Sequence, residues 1–547
     1  MSRPPRSGFR SLRPLFLPPL LLLLSSAGPV SAGTAPIGGP IPGDLLVTAL
    51  IGEPATLVPV LAADSPSHEI CALVFNGLVR YGRGLMLEGD LAQRWEIEEE
   101  GRLIRFYLKR GVLWQDGAPF TAEDVLFTYR QYVNPNVPSP YGGDFKSVTS
   151  VTAPDPYTVE VRYAEPFAPA LDSWAKWIMP KHLLEGQDLL TTPFKSRPVG
   201  TGPFRLKEWR RGQRITLTAN PTHHAGRPYL NGIVFRIIPD QSTIFLELQA
   251  GGIDSGSLTP LQYARMTGTR HFEAAFRKYH YPSLGYTYLG TNLRDPRFAD
   301  HRVRQAINLA IDKQEIIDGV LFGLGEISTG PFPKKSWAFD PEVQPAAFDP
   351  KRAGELLTEA GWIDGDGDGI REKDGRPFRF TILTNQGNLA RKLAAQIIVR
   401  RLREVGISAK IRFLEWATFI DEYINKRRFE AVVLGWGLSW DPDPYDIWHS
   451  SKQGPGEFNF IGYANPEADR LIEAGRREMN REKRAEIYRR LHRLLYNDQP
   501  VCFLYVADGL PVLSRRFRDI ELSPFGGISE LLQWYVPETE QKYRWVP

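Results

Sequence analysis

The sequence predicts an α/β protein with more than one lobe, and three observations carry that prediction. First, 547 residues exceed the size at which a single hydrophobic core stops growing, so two or three lobes are expected. Second, Phe378–Leu383, Ala390–Val405 and Ile407–Phe413 read as strand, helix and strand, with Gly406 closing the helix of a right-handed βαβ unit. Third, Leu91–Val125 reads as a hairpin followed by a helix. In that segment Leu103–Leu108 and Val112–Trp114 are short, partly alternating runs, and Gln115-Asp116-Gly117 is a polar turn. Thr121 then stands where a helix begins, with Glu123 and Asp124 in its first turn. A threonine cap with early acids satisfies and complements a helix N-terminus.

The remaining elements follow in order. Gly33–Gly43 is a Gly/Pro-rich lead-in, Leu45–Leu50 a strand, and His68–Val79 a helix. Gly200–Phe204 opens a hairpin continued by Ile215–Thr218, and Ile233–Ile238 is a strand. Asp240 caps a helix from Ser242 to Gln249, which Gly251 ends. A second α/β pattern starts near Tyr286. It holds a helix over Arg302–Ile317, with Val303, Ile307, Ala310 and Ile311 on its apolar face, and strands at Ala431–Gly435 and Val501–Val506. The helix Arg481–Leu495 has Ile487, Leu491, Leu494 and Leu495 inward, and its arginines read as a solvated face. No internal repeat or low-complexity segment is visible.

The composition, 42% hydrophobic and 24% charged, is that of an ordinary globular protein, and the 12% aromatic content suits an aromatic-lined cavity or a large core. Residues 1–32 read as a secretory signal. Arg3, Arg6, Arg10 and Arg13 form its basic start, Leu15–Leu24 its apolar centre, and Val30-Ser31-Ala32 its cleavage site. The apolar run is too short to span a bilayer. No cysteine follows it, so an unanchored exported protein is expected. Removing those four arginines takes 67 basic residues to 63, against 63 acidic ones. A neutral mature chain gives no support to nucleic-acid binding. Cys71 and Cys502 sit in apolar contexts and read either as one disulfide or as buried free thiols.

The usual signatures of catalysis are missing. The nearest approach to a nucleophile elbow, Gly437 to Asp441, lacks its second glycine. His68-Glu69 has no second histidine one turn on, and no Walker loop or C-x-x-C occurs. His223-His224 lies in a polar loop without nearby carboxylates in the sequence, which argues against a metal there. Asp364, Asp366 and Asp368 fit positions one, three and five of a calcium loop, with Gly369 at six. Position twelve is Gly375 and not a glutamate, so a polar turn is preferred over a calcium site. No metal or cofactor is assigned.

Leu91–Val125 resembles, nearly residue for residue, a signature segment of the family 5 extracellular solute-binding proteins, the peptide-binding receptors of ATP-binding cassette importers. Further ordered segments share the resemblance: G-E-P-A-T-L-V-P at 52–59, F-N-G-L-V at 75–79 and P-V-G-T-G-P-F at 198–204. L-Q-A-G-G-I-D at 248–254, R-V-R-Q-A-I-N-L-A-I-D at 302–312 and L-L-T-E-A-G-W at 356–362 complete the set. Asn76 departs from the family's usual glutamate. The resemblance implies a periplasmic-binding-protein-like clamp of two lobes, the type II, three-domain family 5 variant. Domain I would combine residues 33–79, 197–280 and 510–547. Domain II would be 80–196 and domain III 281–509, with two crossing strands as the hinge.

It also implies capture of a peptide between the lobes and delivery to an ABC permease with its ATPase subunits in the inner membrane. The protein would be a periplasmic monomer without enzymatic activity. Relatives of the same fold take nickel chelates, haem, opines or oligosaccharides; a chaperone or secreted hydrolase is the more distant alternative. Ligand contacts are expected at Tyr281, Ser283 and Tyr286 and at Trp436, Gly437, Trp440 and Asp441. Peptide-binding relatives hold the ligand's amino group with an aspartate shortly after the G-W pair. Here the segment is one residue shorter, and Leu438 or Ser439 falls at that place. Asp441 either substitutes for that aspartate or caps the helix toward His449. Trp436 and Trp440 read as pocket or as lobe core.

Overall fold

The computed structural model describes residues 40–82, 84–522, 528–529 and 531–543. The signal segment read at residues 1–32 lies outside them. One mixed sheet draws its strands from distant parts of the chain, in the spatial order Phe276–Lys278, Pro511–Ser514, Ser255–Ser257, Leu45–Leu50, Gly232–Ile237, Arg214–Ala219, Phe204–Arg210. Leu45–Leu50 runs parallel to Gly232–Ile237, pairing Leu45 with Gly232 and Leu50 with Ile237. Between these strands the chain inserts an antiparallel four-stranded sheet, in the order Ala92–Glu98, Leu103–Leu108, Thr158–Tyr163, Val148–Asp155. The two sheets share one core, in which Leu46, Phe106, Trp174, Leu217 and Trp534 are all buried.

A second mixed sheet has the order Tyr281–Pro282, Val501–Gly509, Gly285–Thr291, Ala431–Gly437, Arg379–Asn385, Ser408–Leu414. Arg379–Asn385 and Ser408–Leu414 pair in parallel through the crossover helix Leu389–Glu404. Gly406, at φ +85°, lets the chain leave that helix, since the left-handed region suits a residue without Cβ. Helices cover both faces: Ile307, Leu357 and Ile398 bury against one, Leu471, Tyr488 and Leu491 against the other.

Two adjacent segments join the sheets. Phe276–Lys278 pairs with Pro511–Ser514 in the first sheet, and Tyr281–Pro282 pairs with Val501–Gly509 in the second. Between them Tyr279 N–H donates to the Pro511 carbonyl at 2.9 Å, so the two crossing chains stay bonded to each other.

Several elements depart from the sequence reading, each for a local reason. The helix expected over His68–Val79 runs from Ser65 to Val74, because Asp64 caps it through the Ser67 amide at 3.1 Å and Phe75 is extended. The helix expected over Arg302–Ile317 is two, His301–Ala310 and Lys313–Gly319, because Asp312 accepts the Glu315 amide at 3.0 Å and caps a new start. Leu103–Leu108 pairs with its sheet neighbours and not with Val112–Trp114, which folds back on Ala118–Phe120 around Gly117. The expected cap at Thr121 forms a capping box with Asp124. Cys71 and Cys502 are free and buried in different cores, so no bridge joins them. On the helix Arg481–Asp498, Arg481, Arg490 and Arg493 are exposed as expected but Arg484 is buried.

Candidate functional site in the gap between the sheets

The pairing of Gly285–Thr291 with Ala431–Gly437 sets Tyr286 opposite Trp436 and Gly285 opposite Gly437. Residues directly opposed in an antiparallel pair project from the same face. Tyr286 is buried against Tyr288 and Phe503 at ring separations of 5.9 and 5.4 Å, so it belongs to the lobe's interior. Trp436 is half-buried and continues outward. Its ring meets Phe458 at 5.0 Å, and Phe458 meets Tyr141 of the insertion at 5.7 Å. The Tyr141 hydroxyl reaches His68 Nε2 at 2.7 Å, and the His68 ring stands edge-on to Trp177 at 4.9 Å. These five rings form a continuous series of contacts from the second lobe to the insertion and the first lobe.

Tyr281 and Ser283 lie at the crossing. Tyr281 packs over Gly509, where a Cβ would sit 2.3 Å from its ring, and Ser283 Oγ donates to the Ala507 carbonyl at 2.7 Å. Gly437 is exposed, with nothing within 4 Å of the place its Cβ would occupy, and Trp440 is half-buried. Asp441 is held by Arg484 in a two-pronged pair at 2.5 and 2.7 Å, with the guanidinium 5.3 Å from the Trp337 ring and 5.1 Å from Tyr488. Of the seven residues read from the sequence, Tyr286 and Trp436 share a face, Tyr281 and Ser283 share the crossing, and Asp441 is engaged inside its own lobe.

Away from the crossing, charged side chains join the insertion to the second lobe. Arg476 pairs with Asp443 at 3.0 Å and with Asp144 at 3.5 Å, donates to the Gly143 carbonyl at 2.9 Å, and lies 4.0 Å from the Tyr445 ring. Lys176 pairs with Asp144 at 2.5 Å and Arg477 with Glu165 at 2.6 Å. Burial, reinforced by Asp144, pushes the Asp446 carboxyl up to about 7.

Other charges in the gap have no such partner. The helix Ser65–Val74 buries Pro66, Ser67, Ile70, Cys71 and Val74 and leaves Ser65, His68, Glu69 and Ala72 with accessible surface. That 65/68/69/72 spacing is one helix face. Burial lowers the His68 imidazole to about 4 and raises the Glu69 carboxyl to about 7. Among the described residues Glu69 accepts no hydrogen bond and meets no cation. On the second lobe, Arg391 donates to Asn385 Oδ1 at 2.9 Å but has no carboxylate within ion-pair reach among the described residues, and burial lowers its pKa. Its helix, Leu389–Glu404, starts at the first lobe: the Leu389 amide donates to Gln241 Oε1 at 2.9 Å. Asp421 is also raised, by burial and by Asp64 of the opposite lobe.

Sequence reading missed Glu69 and Arg391. The signal for Glu69 was the polar pair His68-Glu69 on an otherwise apolar helix. For Arg391 nothing in the sequence distinguishes it from its helix's other basic residues.

The loop Asp364 to Glu372 lies apart from the gap. Asp364 accepts the Gly367 and Gly369 amides at 2.8 and 3.0 Å, as the polar turn reading expected. Glu372, which is not at the position of a calcium-loop glutamate, brings a fourth carboxylate within 4.8 Å of the three aspartates.

Comparison with known proteins supplies the frame for this geometry. Residues 86–458 match the model of a family described as bacterial extracellular solute-binding proteins, family 5 Middle. The oligopeptide-binding protein AppA of Bacillus subtilis is 32% identical over 91% of this chain and 93% of its own length. The structure of that AppA in complex with a nonapeptide superposes with a TM-score of 0.87, at 31% identity, over 91% of this chain and 100% of that one. NikZ from Campylobacter jejuni, in complex with Ni(L-His), is similar at a TM-score of 0.81 and 28% identity, over 90% of this chain and 100% of its own.

Proposed function

We propose that this chain, which belongs to the bacterial extracellular solute-binding proteins of family 5, captures peptides in the gap between its lobes and delivers them to a membrane permease. Domain I would be the first sheet, domain II the insertion and domain III the second sheet with its helices, with the crossing strands as hinge. The observation that carries the reading is the pairing of an aromatic-walled gap with unpartnered charges of opposite sign, Glu69 on one lobe and Arg391 on the other. A peptide with free termini supplies an ammonium for the first and a carboxylate for the second. Each is a charge-assisted contact for a group that otherwise stays unmatched. Peptide backbone would pair along the exposed strand end at Gly437, and side chains would lie against Trp436 and Trp440. Asp441 contributes by fixing Arg484 beneath that segment. The names of the AppA relatives support the peptide reading.

Binding without turnover is the expected behaviour, and closure is what the permease reads. The permease and its ATPase subunits would be the protein partners, and ATP would be used there. The protein would act as a monomer outside the cytoplasmic membrane, without a lipid anchor. No helix among the described residues is long and apolar enough to cross a membrane.

A thermal-shift series with free, N-acetylated and C-amidated peptides tests this. A free peptide at a hundredfold above its dissociation constant adds about 2.7 kcal/mol of stability. Glu69→Gln should weaken the free peptide but not the acetylated one, and Arg391→Gln the free peptide but not the amidated one. A shift with a nickel–histidine chelate or a sugar and with no peptide overturns the substrate class.

A further inference from the structure

The insertion shares its core with the first sheet, so any separation of the lobes about the crossing strands parts the insertion from the second lobe. The surfaces that would part carry buried charge. Arg476, near the end of the second-lobe helix Pro466–Arg477, is 7% exposed. Its guanidinium reaches Asp443 of its own lobe at 3.0 Å. Across the divide it reaches Asp144 at 3.5 Å, the Gly143 carbonyl at 2.9 Å and the Phe167 ring at 4.7 Å. Its backbone carbonyl accepts the Ala168 amide at 2.8 Å. Lys146 Nζ donates to the Tyr445 hydroxyl at 3.3 Å, and Arg477 pairs with Glu165 on the exposed rim at 2.6 Å.

Two features make this contact one that can part and re-form. First, each charge keeps a partner in its own lobe: Asp144 has Lys176 at 2.5 Å, and Arg476 has Asp443. Separation therefore orphans neither, whereas stripping a buried charge of its sole partner is costly. Second, the closest approach is over Gly143. A Cβ there would sit 2.5 Å from Asp446 Oδ1 and 2.6 Å from Tyr445 Cε1, both atoms of the second lobe. The Tyr445 ring has little room to yield, with the Arg476 guanidinium over it at 4.0 Å and His449 beside it at 4.5 Å. The Gly143 backbone lies outside the left-handed region, so the bare position serves the approach of the other lobe and not a turn.

We propose that Gly143, Asp144 and Arg476 form a closure latch, which holds the insertion to the second lobe and sets ligand affinity without touching the ligand. The latch rests on the reading of this chain as a two-lobed capture protein, though not on the class of ligand. On the second lobe Asp443, Tyr445 and Asp446, just beyond Asp441, supply its seat. It acts on the population of the closed state, and apparent affinity scales with that population. Every ligand therefore feels it by the same factor, unlike Glu69 and Arg391, which each act on one peptide terminus.

The test reads lobe separation in ligand-free protein by pulsed electron resonance. Spin labels go on exposed positions, Thr152→Cys on the insertion and Glu486→Cys on the second lobe, while the native Cys71 and Cys502 are buried. Gly143→Ala should move the distribution to longer distances with the circular dichroism of wild type. Glu165→Lys, which sets like charges together on the exposed rim, should move it the same way at low salt and not at about 1 M salt. Affinity for a nonapeptide and for its acetylated and amidated forms should fall about tenfold in Gly143→Ala, equally for all three. Coincident distance distributions for wild type and Gly143→Ala overturn the proposal, as do unequal losses among the three peptides. If no peptide binds, the peptide reading fails and the distances still decide the latch. If Gly143→Ala does not fold, Glu165→Lys decides it, and a low-salt distribution equal to that of wild type overturns it.

Discussion

Asp441 with Arg484, and Glu69 with Arg391, are both sets of opposite charges, yet they are in different situations. Asp441 and Arg484 meet within the second lobe at 2.5 and 2.7 Å, and rings flank the guanidinium. Glu69 and Arg391 stand on opposite lobes, and among the described residues neither meets an opposite charge in its own. A charge matched inside its lobe contributes to the fold and is closed to ligand. A charge without a match in its own lobe stays available to a ligand. The comparison therefore separates structural charges from ligand-facing ones by their partners, where residue type and burial alone do not.

The largest effect is expected from breaking the matched pair. Arg484→Leu leaves Asp441 enclosed and alone and should cost about 3–5 kcal/mol in urea unfolding. Removing both charges with Arg484→Leu and Asp441→Leu should recover most of that loss, and failure to recover it would show that Arg484 acts through its ring contacts.

The unmatched charges should behave in the opposite way. Glu69→Gln should leave unfolding within about 0.5 kcal/mol of wild type at acid pH, where the carboxyl is protonated. The same change should reduce affinity for a free-amine peptide by about 1.5–3 kcal/mol, the size of a lost charged hydrogen bond. Calorimetry reads this directly, and equal losses for free and acetylated peptides would place the amino group elsewhere.

Acidity sharpens the contrast. The Glu69 carboxyl is raised from 4.5 to about 7 by burial, so between those values the folded protein holds a proton that the unfolded chain has released. Its contribution to ligand-free stability is present below that window and is lost as pH rises through it. A ligand ammonium favours the ionised carboxylate, so affinity should rise through the same window. Asp64, His68, Lys176, Tyr141 and Asp421 flank this wall. Asp446, raised to about 7, slopes the same way, and His68, lowered to about 4, the opposite way over 4 to 6.5. The difference between wild type and Glu69→Gln isolates one group, and identical pH profiles for the two would remove Glu69 from the gap.

The smallest effect should come from a residue whose role is wholly local. Thr121→Ala removes one side of the capping box on the helix Ala122–Tyr132 and should cost about 1 kcal/mol with peptide affinity unchanged.

Much of this protein was determined by sequence alone, because its signals are short-range. The Thr121 cap, the Asp240 cap, the hairpin from Phe204 to Ala219 and the βαβ unit closed by Gly406 each depend on residues within a few positions of one another. Hydrogen-bond chemistry and hydrophobic period are readable at that range, and several such segments in order sufficed to indicate the family. Where the short-range signal was ambiguous, as at Ile311 and Asp312, a cap inside an apolar period broke the expected helix in two. Tertiary structure alone decided which charges are available. Nothing near Asp441 announces Arg484, 43 residues on, and nothing near Asp144 announces Arg476. Glu69 and Arg391 gain their meaning from partners that are not there, and no local pattern records an absence. Partner choice among buried charges depends on which chain segments the fold brings together, and that is a property of the packed whole.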